Sequence, residues 1–285
     1  MIFQNNNFSK YLFRKLKDYK HYFKKNKLHE TLNINSNLNN SHFKKYNPEA
    51  YDFLKRYNKI ELQPELDDLC RLHHLICDRK VTTILEFGVG KSTLIFNHAI
   101  ANNIKKFGKY LENNNTIRRT NKFECHTVDD QYKWIKNIKK NFTIKHVHFH
   151  NSKVYMSTFN NRKCTFYRKL PLISPDFIYL DGPARFSAKG YVNGWSTNFG
   201  DGVPMAADIL SIEHFLMPGT LIVTDGRTAN ARFLKSNFQR DWIYCHDEIY
   251  DQHFFELSEV PLGIYNKNQI NFSLGKEYFK RLLKR

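Results

Sequence analysis

The residues best suited to chemistry are carboxylates that follow short β-prone runs. They are Glu86, Asp129, Asp181 and Asp225. In a sheet of parallel strands, the carboxyl ends of the strands lie along one edge, and ligands bind in the crevice outside that edge. We therefore expect these side chains to gather there. Such a group repels phosphate and attracts a ligand that carries a positive charge.

The first carboxylate precedes a glycine turn. An apolar run over 81–85 ends at Glu86, Gly88-Val89-Gly90 comes next, and residues with helical spacing follow from Leu94. Strand, glycine turn and helix form the first unit of a nucleotide-type βαβ fold, although other α/β proteins also contain such a turn. Gly-Val-Gly-Lys-Ser-Thr also looks like a phosphate-binding P-loop. That motif needs a glycine at position 85, which is a leucine here, so the P-loop is the weaker interpretation.

A second predicted strand, 123–128, ends in two carboxylates, Asp129 and Asp130. In nucleotide-binding α/β folds an acidic side chain at this strand end accepts hydrogen bonds from ribose hydroxyls. Asp129 is the first candidate for that role and Asp130 the second. Alternatively, the pair caps the helix that begins near Gln131, and the two interpretations are compatible.

Two later runs also predict buried strands that end in aspartate. Residues 176–180 lead into Asp181-Gly182-Pro183, and residues 220–224 lead into Asp225. Between them lies a polar, glycine-rich stretch, 190–202, which we interpret as a lid or substrate-binding loop because long loops inside a domain are usually functional.

The chain resembles the class I S-adenosylmethionine (SAM) dependent methyltransferases over about residues 83–265. The resemblance rests on the order of four signals: Glu86-x-Gly88-x-Gly90-x-Ser92, Asp129, Asp181 and the run from Pro218 to Asp225. It implies an α/β fold, a Rossmann-like doubly wound seven-stranded sheet with an N-terminal helical extension, closed by an antiparallel hairpin. SAM would lie over the carboxyl ends of the strands.

The resemblance also implies which residues hold SAM. Gly88 and Gly90 would line the methionine part, Glu86 would lie near its ammonium, and Asp129 would hold the ribose. The complete set of expected cofactor-binding residues is Glu86, Gly88, Gly90, Ser92, Asp129, Asp130, Ser152 and Asp181.

The implied reaction is in-line methyl transfer from sulfur to an acceptor atom, with Asp181 as the catalytic base. We expect the acceptor to be a small-molecule or sugar hydroxyl, because the sequence contains no Asn-Pro-Pro-Tyr signature of base-methylating enzymes. Arg185 and Arg227 are expected to hold an anionic substrate group. Ordinary surface charge is the alternative for these arginines.

Two metal sites are conceivable from the sequence. Asp181 and Asp225 end adjacent strands, as two magnesium ligands do in catechol-type O-methyltransferases, and oxygen ligands suit Mg²⁺. Gly226 stands where that pattern has asparagine, so Asn230 would have to substitute. Separately, His146, His148 and His150 alternate along one predicted strand, 144–150. They form either a metal site or the polar face of a strand near the sheet edge, and no carboxylate is interleaved with them.

The net charge of the 285-residue chain is +18, which permits an anionic partner. The alternative function is therefore a non-catalytic, basic nucleic-acid-binding protein on a methyltransferase fold. The abundance of lysine and asparagine throughout the chain is the plainer explanation of the charge. The intact carboxylates favour the enzyme, since a pure binding module would not need them.

The expected domain organisation has four parts. Residues 1–47 form a basic amphipathic helix (8–25) and a linker, 48–80 a helical cap, 81–270 the SAM-binding domain and 271–285 a basic C-terminal helix. Helix 8–25 either packs its aromatic face on the main domain or contacts an anionic membrane peripherally. Packing is the favoured interpretation, because its apolar face is aromatic and not rich in leucine.

Within the main domain, the helix after the glycine turn is expected to end near 103, with an inserted loop over 104–122. A further helix is expected over 203–216. The five cysteines are scattered and odd in number, which indicates a reducing compartment without disulfides. We expect a cytoplasmic protein, since the sequence has neither a membrane-length apolar run nor a signal peptide.

Overall fold

Strands of two separate sheets make up the β-structure of the computed structural model, which describes residues 15–35, 37–38, 43, 64–118 and 120–283. In chain order they are β1 (Thr83–Phe87), β2 (Glu124–Asp129), β3 (Val147–Asn151), β4 (Val154–Phe159), β5 (Arg162–Tyr167), β6 (Phe177–Leu180), β7 (Leu221–Asp225), β8 (Trp242–Asp247) and β9 (Gln252–Leu257).

The helices of the same residues flank the larger sheet. They are α1 (Leu16–Lys25), α2 (Leu28–Leu32), α3 (Leu66–Asp78), α4 (Lys91–Glu112), α5 (Tyr132–Asn141), α6 (Asp208–Ser211), α7 (Thr228–Asn237), α8 (Gly263–Ser273) and α9 (Lys276–Leu282), with a 3₁₀ turn at Glu213–Phe215.

The larger sheet has seven strands in the order β3-β2-β1-β6-β7-β9-β8. Its first five strands are parallel, and β9 runs antiparallel to both β7 and β8. This confirms the predicted doubly wound sheet closed by a hairpin. The chain winds outward from β1 to β3 and then returns to β6 beside β1. The strand order therefore reverses between β1 and β6, which is where open α/β sheets bind ligands.

The central strands are buried on both faces, as parallel strands under two helical layers must be. Every residue of β1 is buried. Ile84 faces an apolar layer shared with α3, α4 and α5. Leu85 and Phe87 face the opposite layer, which β4, β5, α6 and α7 complete. Burial of large aliphatic and aromatic side chains on both faces holds β1 at the centre of the sheet.

The N-terminal helix packs on the domain. The predicted helix 8–25 is described from Leu16 onward, and Tyr19 and Phe23 on its aromatic face are buried in the core layer of α3. This arrangement agrees with the packing interpretation, and membrane contact stays a prediction. Residues 8–14 and the first part of the predicted cap, 48–63, lie outside the described residues. No helix in the described part of the chain is long and apolar enough to span a membrane.

Two predicted boundaries around the main domain were wrong. Helix α4 does not end near residue 103, because Ile104, Phe107 and Leu111 continue its apolar face into the core. The expected insertion 104–122 is therefore helical as far as Glu112. The predicted helix 203–216 is reduced to α6 and the 3₁₀ turn.

Three elements were not predicted. The predicted linker contains α2, whose Leu28 and Leu32 lie one turn apart and are both buried. β4 and β5 form an antiparallel hairpin after β3. α8 crosses the predicted boundary at residue 270, and Ile270 is buried. The C-terminal α9 also belongs to the domain, since its buried Tyr278 hydroxyl donates to the carbonyl of Glu259 at 2.8 Å.

Tyr19→Phe tests how firmly α1 is fixed. The Tyr19 hydroxyl accepts a hydrogen bond from the fully buried guanidinium of Arg71 at 2.8 Å. Removing it leaves a buried charged donor without this partner, so we expect a loss of about 1–3 kcal/mol in the free energy of unfolding. Urea unfolding measures the loss. Tyr110→Phe removes the same atom from a half-exposed ring and should change stability far less. Equal losses in both variants would contradict a specific anchor.

Candidate active site

The ends of β1 and β6 touch through two glycines. Gly88 has φ +100°, and a Cβ there would lie 3.0 Å from the carbonyl oxygen of Asp181. A Cβ on Gly182 would lie 2.8 Å from the Gly88 nitrogen and 2.6 Å from the Tyr167 hydroxyl. Both positions therefore exclude a side chain. The result is bare backbone at the point where the strand order reverses, which a ligand can approach closely.

Glu86 lies beneath the turn and fixes it. Its side chain is fully buried, and its two carboxyl oxygens accept hydrogen bonds from Ser92 Oγ at 2.6 Å and Thr93 Oγ1 at 2.8 Å. The Thr93 hydroxyl in turn accepts the backbone N–H of Gly90 at 3.1 Å. Burial raises the pKa of Glu86 to about 8, and the hydroxyl donors only partly oppose that shift. The predicted contacts of Glu86, Gly90 and Ser92 with a ligand stay predictions. Thr93 was missed, although it directly follows the motif.

Asp129 joins the end of β2 to the glycine turn. Its Oδ2 accepts the backbone N–H of Val89 at 2.7 Å, and its Oδ1 accepts that of Gln131 at 2.6 Å. The second bond is a local turn before α5; α5 has Gln131 at its N-cap and no side-chain cap hydrogen bond, so the predicted capping role was wrong. Burial raises the pKa of Asp129 to about 6, against the two backbone donors that lower it. The carboxylate thus lies beside the glycine turn, and its predicted contact with a ribose stays a prediction.

Two neighbours of Asp129 occupy supporting positions. The buried Ser152 donates its N–H to the Asp129 carbonyl at 2.9 Å, and its Oγ accepts the N–H of Lys169 at 2.9 Å. Asp130 faces Ala184, whose N–H lies 3.4 Å from Oδ1. Burial is also the main cause that raises the pKa of Asp130. Ser152 therefore orders the segment after β3, and Asp130 connects β2 to the segment after β6.

Asp181 follows β6 with its side chain 56% exposed. The Arg227 Nε lies 3.5 Å from its Oδ1, and the same guanidinium donates to the carbonyls of Asp181 and Pro183 at 2.7 and 2.9 Å. Arg227 thus holds the turn after β6. The exposed carboxylate remains accessible to a substrate, as its predicted role as base requires.

Arg185 holds the glycine-rich loop. Its guanidinium donates to the carbonyls of Gly200 and Gly202, each at 2.9 Å. Gly202 lines a cavity of about 220 Å³ beside the β4–β5 hairpin. The other lining residues are Met156, Lys163, Cys164, Trp195, Thr197, Phe199, Asp201, Val203 and Met205. The loop predicted as a lid therefore forms one wall of a pocket, and Arg185 ties it to the segment after Asp181.

Sequence reasoning named Asp225 but missed two carboxylates beside it, Glu65 and Asp68. We call these three residues the edge triad. Their nearest carboxyl oxygens all lie within 4.8 Å of one another. Asp68 is 2% exposed, and neither of its carboxyl oxygens has a hydrogen-bond partner in the described part of the chain. Burial and the Asp225 charge hold its pKa well above the ordinary value. The acidic residues at the start of α3 were the available signal in the sequence. A helix that begins at the edge of a sheet places its first residues near that edge.

Tyr167 was also missed. Its side chain is 5% exposed, and its hydroxyl abuts Gly182 without a hydrogen-bond partner among the residues described. Buried hydroxyls nearly always have a partner, so this enclosed hydroxyl is an exception at the point where β5 meets the turn after β6. It ends β5, a strand that the sequence pattern did not indicate.

The residues present do not fit the predicted magnesium pair. Arg227 already contacts Asp181, and its positive charge opposes a second cation there. Asp225 belongs instead to the edge triad and accepts the Tyr179 hydroxyl at 3.2 Å. Asn230, the proposed substitute ligand, is occupied by the Ala206 backbone, donating at 3.0 Å and accepting at 2.9 Å. Asp181, Asp225 and Asn230 therefore do not form the predicted magnesium site.

The position of the Lys91 side chain also argues against a P-loop. Lys91 would have to reach the phosphates of a nucleotide, but its ammonium lies over the Phe142 ring, 4.9 Å from the ring centroid. The neighbouring strand ends present carboxylates, which disfavour a polyphosphate. The edge is suited to a ligand with a cationic part.

Glu86→Gln tests the buried carboxyl through the pH dependence of stability. The pKa of Glu86 is about 8 in the folded chain, against an ordinary value of 4.5. Between pH 4.5 and pH 8 the native chain therefore holds a proton that the unfolded chain has lost. Stability present at lower pH is then lost as the pH rises toward 8, by up to about 1.4 kcal/mol per pH unit. The glutamine variant cannot ionise, so its stability should fall less steeply from pH 5 to 8.

Urea unfolding across that range measures the difference between the two slopes. Glu248→Gln is the matched control, because Glu248 is exposed. Parallel pH profiles for wild type and Glu86→Gln would contradict a buried, proton-binding Glu86.

Comparisons with known proteins add little to this geometry. No protein-family model matches the chain, and no curated protein matches it. Among solved structures, the chain is similar to the SAH-bound methyltransferase PaMTH1 of Podospora anserina, at 13% identity and a TM-score of 0.37, covering 73% of this chain and 86% of that one. It is also similar to the plantazolicin methyltransferase BamL, crystallised with a triazolic desmethylPZN analog and SAH, at 15% identity and a TM-score of 0.28, covering 94% of this chain and 73% of that one.

Superpositions this loose identify neither ligand nor site residues. The strand order, the antiparallel closing hairpin and the glycine turn at the point of reversal are features of this chain's own structure. They show that the chain has the fold of the class I SAM-dependent methyltransferases.

Proposed function

We propose that the chain is a SAM-dependent methyltransferase that O-methylates a small-molecule or sugar hydroxyl. The observation that carries this proposal is the carboxylate-lined edge over bare glycine backbone where the strand order reverses. Gly88 supplies the backbone, and Asp129 binds the same turn through Val89. A cationic, nucleoside-containing ligand matches both features.

The local charge runs against the charge of the whole chain. Although the net charge is +18, the edge between β2 and β7 presents Asp129, Asp130, Asp181 and the edge triad. A dinucleotide or nucleoside triphosphate would meet repulsion there, whereas the sulfonium and ammonium of SAM would be attracted. Asp68 contributes least to this attraction, because burial raises its pKa well above the ordinary value and the buried Arg71 guanidinium lies 3.8 Å from its Oδ1.

Within this proposal the residues have distinct roles. Asp129 accepts hydrogen bonds from the ribose, and the Gly88–Gly90 backbone lies along the methionine part. Glu86, Ser92 and Thr93 act indirectly by fixing that backbone.

SAM, when bound, supplies a methyl group on a positively charged sulfur. The chain's contribution is position and electrostatics. An acceptor hydroxyl must lose a proton as it attacks, and the exposed carboxylate of Asp181 is our candidate to take it. Arg227 holds the Asp181 backbone and thus sets where that carboxylate points.

The cavity behind the Arg185-bound loop supports the proposed acceptor class. Trp195 and Phe199 offer aromatic faces, with ring centroids 5.3 Å apart at an interplanar angle of 78°. A volume of about 220 Å³ accommodates one ring rather than a polymer. Flat aromatic walls suit the C–H face of a sugar or an aromatic alcohol, and Lys163, over the Trp195 ring, can pair with an anionic substituent.

Isothermal titration of the full chain with S-adenosylhomocysteine, SAM and a nucleic-acid duplex tests the assignment. We expect both nucleosides to bind, and methyl transfer to be found among ring-containing hydroxyl acceptors. No binding of either nucleoside, together with tight and salt-dependent duplex binding, would instead support the basic nucleic-acid-binding alternative.

Asp129→Asn tests the ribose role. The amide keeps the shape of the side chain but turns one acceptor into a donor facing either the Val89 or the Gln131 N–H. Loss of charge-assisted hydrogen bonds is worth about 1.5–3 kcal/mol, so we expect S-adenosylhomocysteine to bind roughly ten- to a hundredfold more weakly. Asp241→Asn, at an exposed position, is the control for titration calorimetry. Unchanged affinity in Asp129→Asn would remove the ribose assignment.

A further inference from the structure

A second polar group lies on the sheet away from the proposed methyl-transfer site. Glu124 and His126 alternate along β2, and His148 and His150 alternate along β3, so all four side chains project from one face. In the parallel register His126 is paired with His148. We call these four residues the histidine cluster. No carboxylate is interleaved with the histidines of β3. Glu124, on the neighbouring strand β2, supplies one.

The distances within the histidine cluster match a metal-binding site. His126 Nε2 lies 3.0 Å from Glu124 Oε2, and His148 Nε2 lies 3.7 Å from the same oxygen. Two ligands of one tetrahedral zinc ion, bonded at about 2.0–2.2 Å, stand roughly 3.3 Å apart. The two observed separations fall on either side of that value. The three ligand atoms all lie within 4.8 Å of one another.

The surroundings prepare His126 as a ligand. Its Nδ1 lies 3.1 Å from His150 Nε2, an outer hydrogen bond of the kind that fixes the ring of a metal-bound histidine. Asn121 Nδ2 donates to Glu124 Oε2 at 2.9 Å and orients the carboxylate.

We infer that Glu124, His126 and His148 form a binding site for a zinc-like divalent transition-metal ion, with His150 orienting His126. Imidazole with one carboxylate selects such ions over magnesium or calcium. His148 is 53% exposed, so it can rotate onto an ion that arrives from solvent, and water can complete the coordination. His146, the first histidine of the row, does not belong to the set.

The site has a structural rather than catalytic rationale. Among the described strands β3 pairs only with β2, so it is an edge strand. A metal ion bound by residues of both β2 and β3 would hold β3 against the rest of the sheet. Along β2, His126 precedes Asp129 by three residues, about 10 Å of strand. The ion would therefore bind without touching the SAM site.

Zinc titration of the chelator-treated full chain tests this inference. We expect wild type to bind one Zn²⁺ in this site, and His148→Ala and Glu124→Gln each to bind it at least tenfold more weakly. His148 is exposed and glutamine keeps the shape of Glu124, so both variants should fold. Co²⁺ should give wild type a visible absorption band of a low-coordinate site, and both variants should lose it.

Two alanine variants control for other histidines. His146→Ala alters the same row outside the site, and His246→Ala removes a ligand from a separate group, His246, Asp251 and His253, on β8 and β9. Both should bind zinc as wild type does, within about twofold. Wild-type affinity in His148→Ala, or a loss confined to His246→Ala, would overturn the inference. Binding of S-adenosylhomocysteine should be unchanged in His148→Ala.

Discussion

The hydrogen bond from the Val89 N–H to the Asp129 carboxylate couples the first two strands of the sheet at the place where function is proposed. It connects the glycine turn after β1 to the end of β2 at 2.7 Å. On the other side the same turn lies against the Asp181–Gly182 backbone, so the ends of three adjacent strands are held in one arrangement. Glu86 fixes the turn from below. A displacement of any of these parts would move the others, because no side chain at Gly88 or Gly182 could fill a gap between them.

The net charge of the chain and the charge at the carboxyl edge of the sheet have opposite signs. The excess of lysine and arginine over acidic residues belongs to the chain as a whole, whereas the carboxyl edge of the sheet concentrates aspartate and glutamate. The arginines near that edge bind backbone or buried groups: Arg185 the glycine-rich loop, Arg227 the turn after β6 and Arg71 the Tyr19 hydroxyl. Arg227 and Arg71 also lie 3.5 and 3.8 Å from the carboxylates of Asp181 and Asp68, so they offset part of the negative charge of the edge. Net charge alone would have suggested an anionic ligand.

The fold was largely predictable from the sequence, and the site only in part. Apolar runs that end in Glu86, Asp129, Asp181 and Asp225 have a strong local signal, because buried parallel strands are continuous in hydrophobicity. The β4–β5 hairpin was missed because its strands alternate weakly. Tyr167 of β5 has no signature of its own, and the acidic residues at the start of α3 do not by themselves indicate that they lie beside Asp225. Their position depends on tertiary packing, which spacing along the chain does not encode.

The raised pKa values at the site link its stability to its ligand. Burial raises the pKa of Glu86, beneath the turn, to about 8 and that of Asp129, at the end of β2, to about 6, so proton uptake offsets part of the cost of burying each carboxylate. A bound cation favours the ionised form of each nearby carboxyl group and so lowers its pKa. Protons and a cationic ligand would therefore compete at Asp129, whereas Glu86 responds to pH from beneath the turn through Ser92 and Thr93. Proton uptake at buried carboxyl groups and cation binding at the ionised ones thus depend on the same burial.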